Sequence, residues 1–141
     1  MFKQVSLKTW LAAARLRTLP LALSAIILGS LLARFYGEFS LAILILCILT
    51  AVFYQVLSNF ANDLGDGLKG TDANKVGEKR AIASGSISVI QMKNAVVLFS
   101  ALSLITGSFL SWFATIGQEL WVTMLFIILG FAATFAALFY T

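Results

Sequence analysis

An apolar segment over residues 40–61, interrupted near its end by Gln55 and Asn59, runs directly into a cluster of carboxylates and cations, N-D-L-G-D-G-L-K-G-T-D over 62–72. At ~1.5 Å rise per residue, a helix of that length covers the ~30 Å hydrocarbon core of a bilayer. The acidic cluster therefore falls at a membrane surface. On such a helix, at ~100° per residue, Gln55, Asn59, Asn62, Asp63 and Asp66 share an arc of roughly 100°, a stripe of oxygen ligands along one face. Gly65 and Gly67 argue against the helix continuing past Leu64, because glycine in a helix interior costs ~1 kcal/mol relative to alanine, so the stripe is expected to hold only as far as Asp63.

Three more stretches are long and apolar enough to span: about residues 19–36, 94–116 and 119–141. Hydrophobic residues make up 60% of the chain and charged residues 11%, with a mean hydropathy of +0.97, far from a soluble domain with about 25% charge. The expected architecture is an all-α integral membrane domain with four transmembrane helices. A secretory signal is the alternative for the first of them, but Arg15 and Arg17 lie late for one and the apolar run is long. Residues 7–18 mix cations and apolar residues at helical spacing and read as an interfacial segment, with Pro20 in the first turn of the helix that follows.

Basic residues set the orientation, because lysine and arginine are retained in the cytoplasm. All of them except Arg34 fall on one side: Lys3, Lys8, Arg15 and Arg17 before the first helix, and Lys69, Lys75, Lys79, Arg80 and Lys93 around the connection between the second and third. Both the N-terminus and the 62–92 connection are thus expected in the cytoplasm, at what would be a bacterial inner (cell) membrane. The net charge of +4 is an orientation signal, and it implies no nucleic-acid partner. The sequence has no histidine, which disfavours zinc hydrolysis and Ser-His chemistry. Cys47, the lone cysteine, reads as a small apolar residue in the second helix.

The connection over 62–92 is much longer than an ordinary helix–helix link, and such loops are functional or disordered. Here Asp63, Asp66, Asp72 and Glu78 alternate with Lys69, Lys75, Lys79 and Arg80, with glycines among them. Carboxylates hold a hard cation, cations neutralise phosphate, and glycines let backbone come close. Magnesium prefers one or two carboxylates, water and its substrate's own phosphate oxygens to a full protein cage. Asn62 and Asp66 at i, i+4, with Asp63 beside them, meet that demand. A solvated helix end would explain any one of these aspartates, and topology alone would explain the lysines. The polar Gln55 and Asn59 inside the span favour a site, because polar groups there are expensive. Arg80 is the best phosphate ligand among the cations, its planar fork matching phosphate oxygens. A calcium-binding hand does not fit, since the acids lack its spacing and closing glutamate.

The stretch Q-V-L-S-N-F-A-N-D-L-G-D-G-L-K-G-T-D over 55–72 resembles the first aspartate-rich motif of the UbiA superfamily of membrane prenyltransferases. V-G-E-K-R over 76–80, A-S-G-S-I-S over 83–88, W-L-A-A-A-R-L-R-T-L-P-L-A over 10–22 and the closing L-F-Y-T are similar to the branch that prenylates 1,4-dihydroxy-2-naphthoate in menaquinone synthesis. The resemblance implies a bundle of about nine transmembrane helices, of which this chain is the first part, carrying one of two aspartate motifs. It places Asp63 and Asp66 as catalytic, Asn62, Asp63, Asp66 and Asp72 on Mg2+, and Asn59, Asn62, Lys69, Lys79 and Arg80 on the substrate. The implied substrates are a polyprenyl diphosphate, its tail in membrane lipid, and 1,4-dihydroxy-2-naphthoate, which is prenylated with loss of its carboxyl to give demethylmenaquinone. Three positions depart from the pattern: Gly70 stands where the superfamily's last acid is expected, with Asp72 two residues on, and Leu16 and Glu78 stand where the branch has proline. The uncapped end at Thr141 leads to the expectation that more helices follow and that residues 1–141 are inactive alone. The rival readings are a relative using another aromatic acceptor and a small four-helix transport or cation-binding membrane protein.

Overall fold

The computed structural model describes residues 5–70 and 80–139. Every regular element among them is helical: α1 (Leu7–Ala14), a 3-10 turn (Leu16–Thr18), α2 (Leu19–Phe35), α3 (Leu41–Lys69), α4 (Val89–Ala114) and α5 (Leu120–Phe139). Four helical stretches are long and apolar enough to cross a membrane, Leu7–Phe35, Leu41–Lys69, Val89–Ala114 and Leu120–Phe139. The protein is an integral membrane protein.

The helix starts follow local chemistry. The Ser6 and Ser40 side chains accept from the backbone N–H three residues on, at Thr9 and Ile43, which satisfies donors that a first turn leaves open. Ser88 and Gln91 form a reciprocal capping box, and this starts α4 at Val89, earlier than the expected residue 94. Pro20 sits at the start of α2, where its missing N–H costs nothing.

The expectation that α3 stops near Leu64 is corrected: the helix continues through Gly65 and Gly67 to Lys69, and Gly70 closes it in the left-handed conformation at φ 69°. Gly67 is tolerated because packing requires it there. A Cβ on it would lie 2.5 Å from Ile82 Cγ2, so the bare backbone lets the segment after residue 80 close onto the helix. The 62–92 connection is correspondingly shorter than expected, since 62–69 belong to α3 and 89–92 to α4.

α3 is the central element and packs on α1, α2, α4 and α5. Its core lies towards its polar end, where Val56, Leu57 and Phe60 are buried with Ala14, Ile87, Met92 and Val96. Trp10 and Phe99 both meet the Phe60 ring edge-on, with centroids 5.5 Å and 5.4 Å away. Segment 7–18, expected as interfacial, is tied into this core through Ala14. Farther along, Tyr54 donates its hydroxyl to the Gly130 carbonyl at 2.7 Å and lies 3.0 Å from Thr134 Oγ1, joining α3 to α5.

Candidate functional site

The polar stripe on α3 is where the chain departs from simple helix packing. Gln55, Asn59 and Asp63 follow one another at i, i+4 and i+8, one above the next on the same face. Each is bonded to a different piece of the surrounding chain. Gln55 Nε2 donates to Thr18 Oγ1 at 3.0 Å, and that hydroxyl donates to the Arg15 carbonyl at 3.0 Å. Asn59 Nδ2 donates to the Ala14 carbonyl at 2.8 Å from a buried position. The Asp63 carboxylate accepts from the backbone N–H of Ala81 at 3.1 Å and of Ile82 at 3.4 Å, and is only 3% exposed.

The two segments held in this way are the break between α1 and α2 and the turn that follows residue 80. α1 is broken from α2 at Arg15, which has φ 50° and is the only non-glycine residue with positive φ among the described residues. A left-handed non-glycine residue costs on the order of 1–3 kcal/mol and persists only where its surroundings enforce it. On the other side, residues 80–86 fold as a turn with Gly85 left-handed and its backbone bonded within itself.

Arg80 begins that turn and reaches back to the helix. Its Nη1 donates to the Asn62 carbonyl at 3.0 Å and forms an ion pair with the Asp66 carboxylate. Both side chains are largely covered, 18% and 17% exposed, a setting in which a charge-assisted bond is stronger than at the surface. Burial pushes the Arg80 guanidinium below its ordinary value and the Arg15 charge pushes it the same way, while Asp63 opposes them. Arg80 stays cationic, since arginine does not deprotonate in proteins.

Between the two segments opens a cleft of about 820 Å³ lined by Lys8, Arg15, Arg17, Arg80 and Asp63, with Ser84 and Ser86 at its edge. Four cations against one buried carboxylate make this cavity a place for an anion.

The structure brings Asn59, Asn62, Asp63, Asp66 and Arg80 into one neighbourhood. Lys69 closes α3 at an exposed position and does not line the cleft. Asp72 and Lys79 lie outside the described residues. Asn59, expected as a substrate ligand, has its amide nitrogen on the Ala14 carbonyl. Sequence reasoning missed Arg15 as a site residue and took its charge for an orientation signal. The similarity of residues 10–22 to the naphthoate-prenylating branch was the signal available.

Asn62, Asp63 and Asp66, the residues expected on magnesium, follow one another in the last turns of α3, with the Asp63 oxygens on backbone N–H groups and Asp66 on Arg80. Among the described residues no three His, Cys, Asp or Glu side chains gather into a cage. Asp63 lines the anion cleft and Asp66 is paired with Arg80 beside it, and so sparse a donor set fits a cation that shares its coordination with water and phosphate oxygens.

The description of the UbiA prenyltransferase family matches residues 22–141. The chain belongs to the UbiA prenyltransferase family. It is 41% identical over 96% of its length to a Haemophilus influenzae protein and 38% identical over 95% to an Escherichia coli protein, each named 1,4-dihydroxy-2-naphthoate octaprenyltransferase. A Mycobacterium tuberculosis protein of the same name is 30% identical over 72% of the chain. The chain spans 44% and 43% of the length of the first two relatives. No solved structure matches it. Membership of this UbiA family favours prenyl transfer over the four-helix transporter considered from sequence alone.

Proposed function

We propose that this chain is the diphosphate-binding part of an enzyme that transfers a polyprenyl group from polyprenyl diphosphate to 1,4-dihydroxy-2-naphthoate, releasing the ring carboxyl as carbon dioxide and giving demethylmenaquinone. The observation that carries the proposal is the Arg80–Asp66 pair on the last turns of a membrane-crossing helix, beside a cationic cleft. The names of the relatives supply the acceptor.

The reaction breaks the allylic C–O bond, with its electron pair leaving on the diphosphate. The aromatic ring supplies the pair for the new C–C bond, and loss of the carboxyl returns a pair to the ring. The residues of this chain act on the leaving group. Arg80, Arg15, Arg17 and Lys8 hold its oxygens and offset its growing charge. Asn62, Asp63 and Asp66 would hold Mg2+, which when bound supplies further neutralisation of that charge. Asp72, Lys69 and Lys79 belong to the proposed ligand set by family resemblance. The hydrocarbon tail runs into lipid or between the helices, since the cleft sits at the end of a span. The positive-inside distribution supports a cytoplasmic N-terminus and a cytoplasmic cleft, in the inner (cell) membrane.

Membranes containing the full-length protein should form demethylmenaquinone from the two substrates with added magnesium. If product forms with 4-hydroxybenzoate and none with the naphthoate, the acceptor assignment is overturned.

A further inference from the structure

Of the polar side chains along α3, Asn59 bonds directly to the backbone beside the left-handed Arg15. We infer that Asn59 is a positioning residue that sets Arg15 in the anion cleft, and that it does not itself touch the substrate.

Four observations support this. Arg15 is left-handed at φ 50°, a conformation that turns the chain sharply between α1 and the 3-10 turn. The carbonyls on either side of that strained residue are both held from α3: Ala14 by Asn59 Nδ2 at 2.8 Å, and Arg15 through Thr18 Oγ1, which itself accepts from Gln55 Nε2 at 3.0 Å. Ala14 is buried in the core, and Asn59 is buried beneath it. The Arg15 side chain, half-buried, lines the same cleft as Asp63 and Arg80.

The geometry separates the two ends of the stripe by task. A donated hydrogen bond to a buried carbonyl commits the Asn59 amide nitrogen, and removing it would leave that carbonyl unsatisfied. The backbone at Arg15 would then relax towards the helical region, and the guanidinium would leave the position it takes opposite Arg80. Asn59 thus acts on the anion through Arg15. On the proposed function that anion is the diphosphate of the donor; the carboxylate of the acceptor presents the same chemistry to a guanidinium, and the two are told apart by measurement.

This inference rests on the proposed function for the identity of the anions, and the test keeps the two apart. In full-length protein in detergent, binding of inorganic diphosphate and of 1,4-dihydroxy-2-naphthoate is measured separately for wild type, Asn59→Leu, Arg15→Ala and the double variant. Neither leucine nor alanine adds charge. Asn59→Leu should weaken the same one of the two anions that Arg15→Ala weakens, by about tenfold, the loss of one charged hydrogen bond. The double variant should be no weaker than Arg15→Ala. Asn59→Ala repeats the measurement if the leucine variant does not fold. Additive losses, or a loss for the anion that Arg15→Ala leaves untouched, would overturn the inference. Backbone hydrogen exchange over residues 14–19 supplies a readout that needs no ligand: it should quicken in the Asn59 variants and stay unchanged over 96–110. Unchanged exchange over 14–19 overturns the inference whichever anions bind, while quickened exchange in a wild-type background that binds neither anion supports the backbone role and fails the functional proposal instead.

Discussion

α2 and the polar end of α3 differ in how each is held. α2 buries no residue at all, whereas α3 buries Val56, Leu57, Asn59, Phe60, Ala61 and Asp63 within two and a half turns. In water the exposed leucines and isoleucines of α2 would be a liability. In lipid they cost nothing, because lipid tails are as apolar as leucine and no hydrophobic force drives helices together there. Packing and polar contacts must then decide where elements sit, and this chain concentrates both at one end of one helix. The consequence is a rigid cationic cleft carried by helices whose outer faces are tolerant of change.

The sharpest way to break that contrast is to remove charge from the rigid end. Asp66→Ala in the full-length protein should lower prenyl transfer by about 10²–10³ or more, the scale of losing one preorganised electrostatic group, with the protein still in the membrane. Wild-type turnover would remove Asp66 from the site. Arg80→Lys comes next. It keeps the charge, but its one ammonium must replace the Nη1 that meets both the Asn62 carbonyl and the Asp66 carboxylate, and it has no planar fork to offer a diphosphate as well. Turnover should fall by about tenfold, the equivalent of ~1.4 kcal/mol, and full activity would mean that Arg80 acts as a point charge only.

Two glycines turn the same contrast into a difference of sign. Alanine at Gly67 places a Cβ 2.5 Å from Ile82 Cγ2 and 2.9 Å from its Cβ, an overpacking that costs about 1–3 kcal/mol and exceeds the ~1 kcal/mol gained in helix propensity. Alanine at Gly29 in α2 meets nothing within 4 Å and should stabilise by that propensity alone. Thermal unfolding in detergent reads both. A destabilised Gly29→Ala would show that another element covers α2 in the full-length protein, and a neutral Gly67→Ala that the turn at 80–86 is loosely packed.

The spans were legible because nothing but a helix of that length and hydropathy fits a bilayer, and the acids at 62–66 were legible because charge beside a span needs a reason. The end of α3 was misread. Helix propensity counts Gly65 and Gly67 against the helix, but the close approach of Ile82 lies 15 residues farther along the chain, and no local rule reports it. The polar stripe was found, and its composition was read as a row of ligands. A side-chain amide looks the same in sequence whether it faces a substrate or a backbone carbonyl. Only the fold reveals that Asn59 meets Ala14 and that Asp63 meets Ala81 and Ile82. Arg15 carries no sequence mark of its left-handed backbone, because glycine or asparagine is the usual sign of that conformation.

The smallest effect tests whether polar contacts also place the far side of the bundle. Half-buried Tyr54 bonds the Gly130 carbonyl and approaches the buried Thr134 Oγ1 between α3 and α5. Tyr54→Phe keeps the ring and removes the hydroxyl. Interhelical hydrogen bonds in membranes average only ~0.6 kcal/mol, and Thr134 still donates to the Gly130 carbonyl at 3.0 Å within its own helix, so that carbonyl keeps a partner. The variant should lose about half a kilocalorie per mole in unfolding and none of its prenyl transfer, because nothing in the cleft is attached to Tyr54. A loss above about 2 kcal/mol, beyond the largest of such bonds, would show that α5 is held as firmly as the cleft end and would remove the contrast between the two regions; lost activity at unchanged stability would connect α5 to the anion site by a route the packing around Asn59 does not provide.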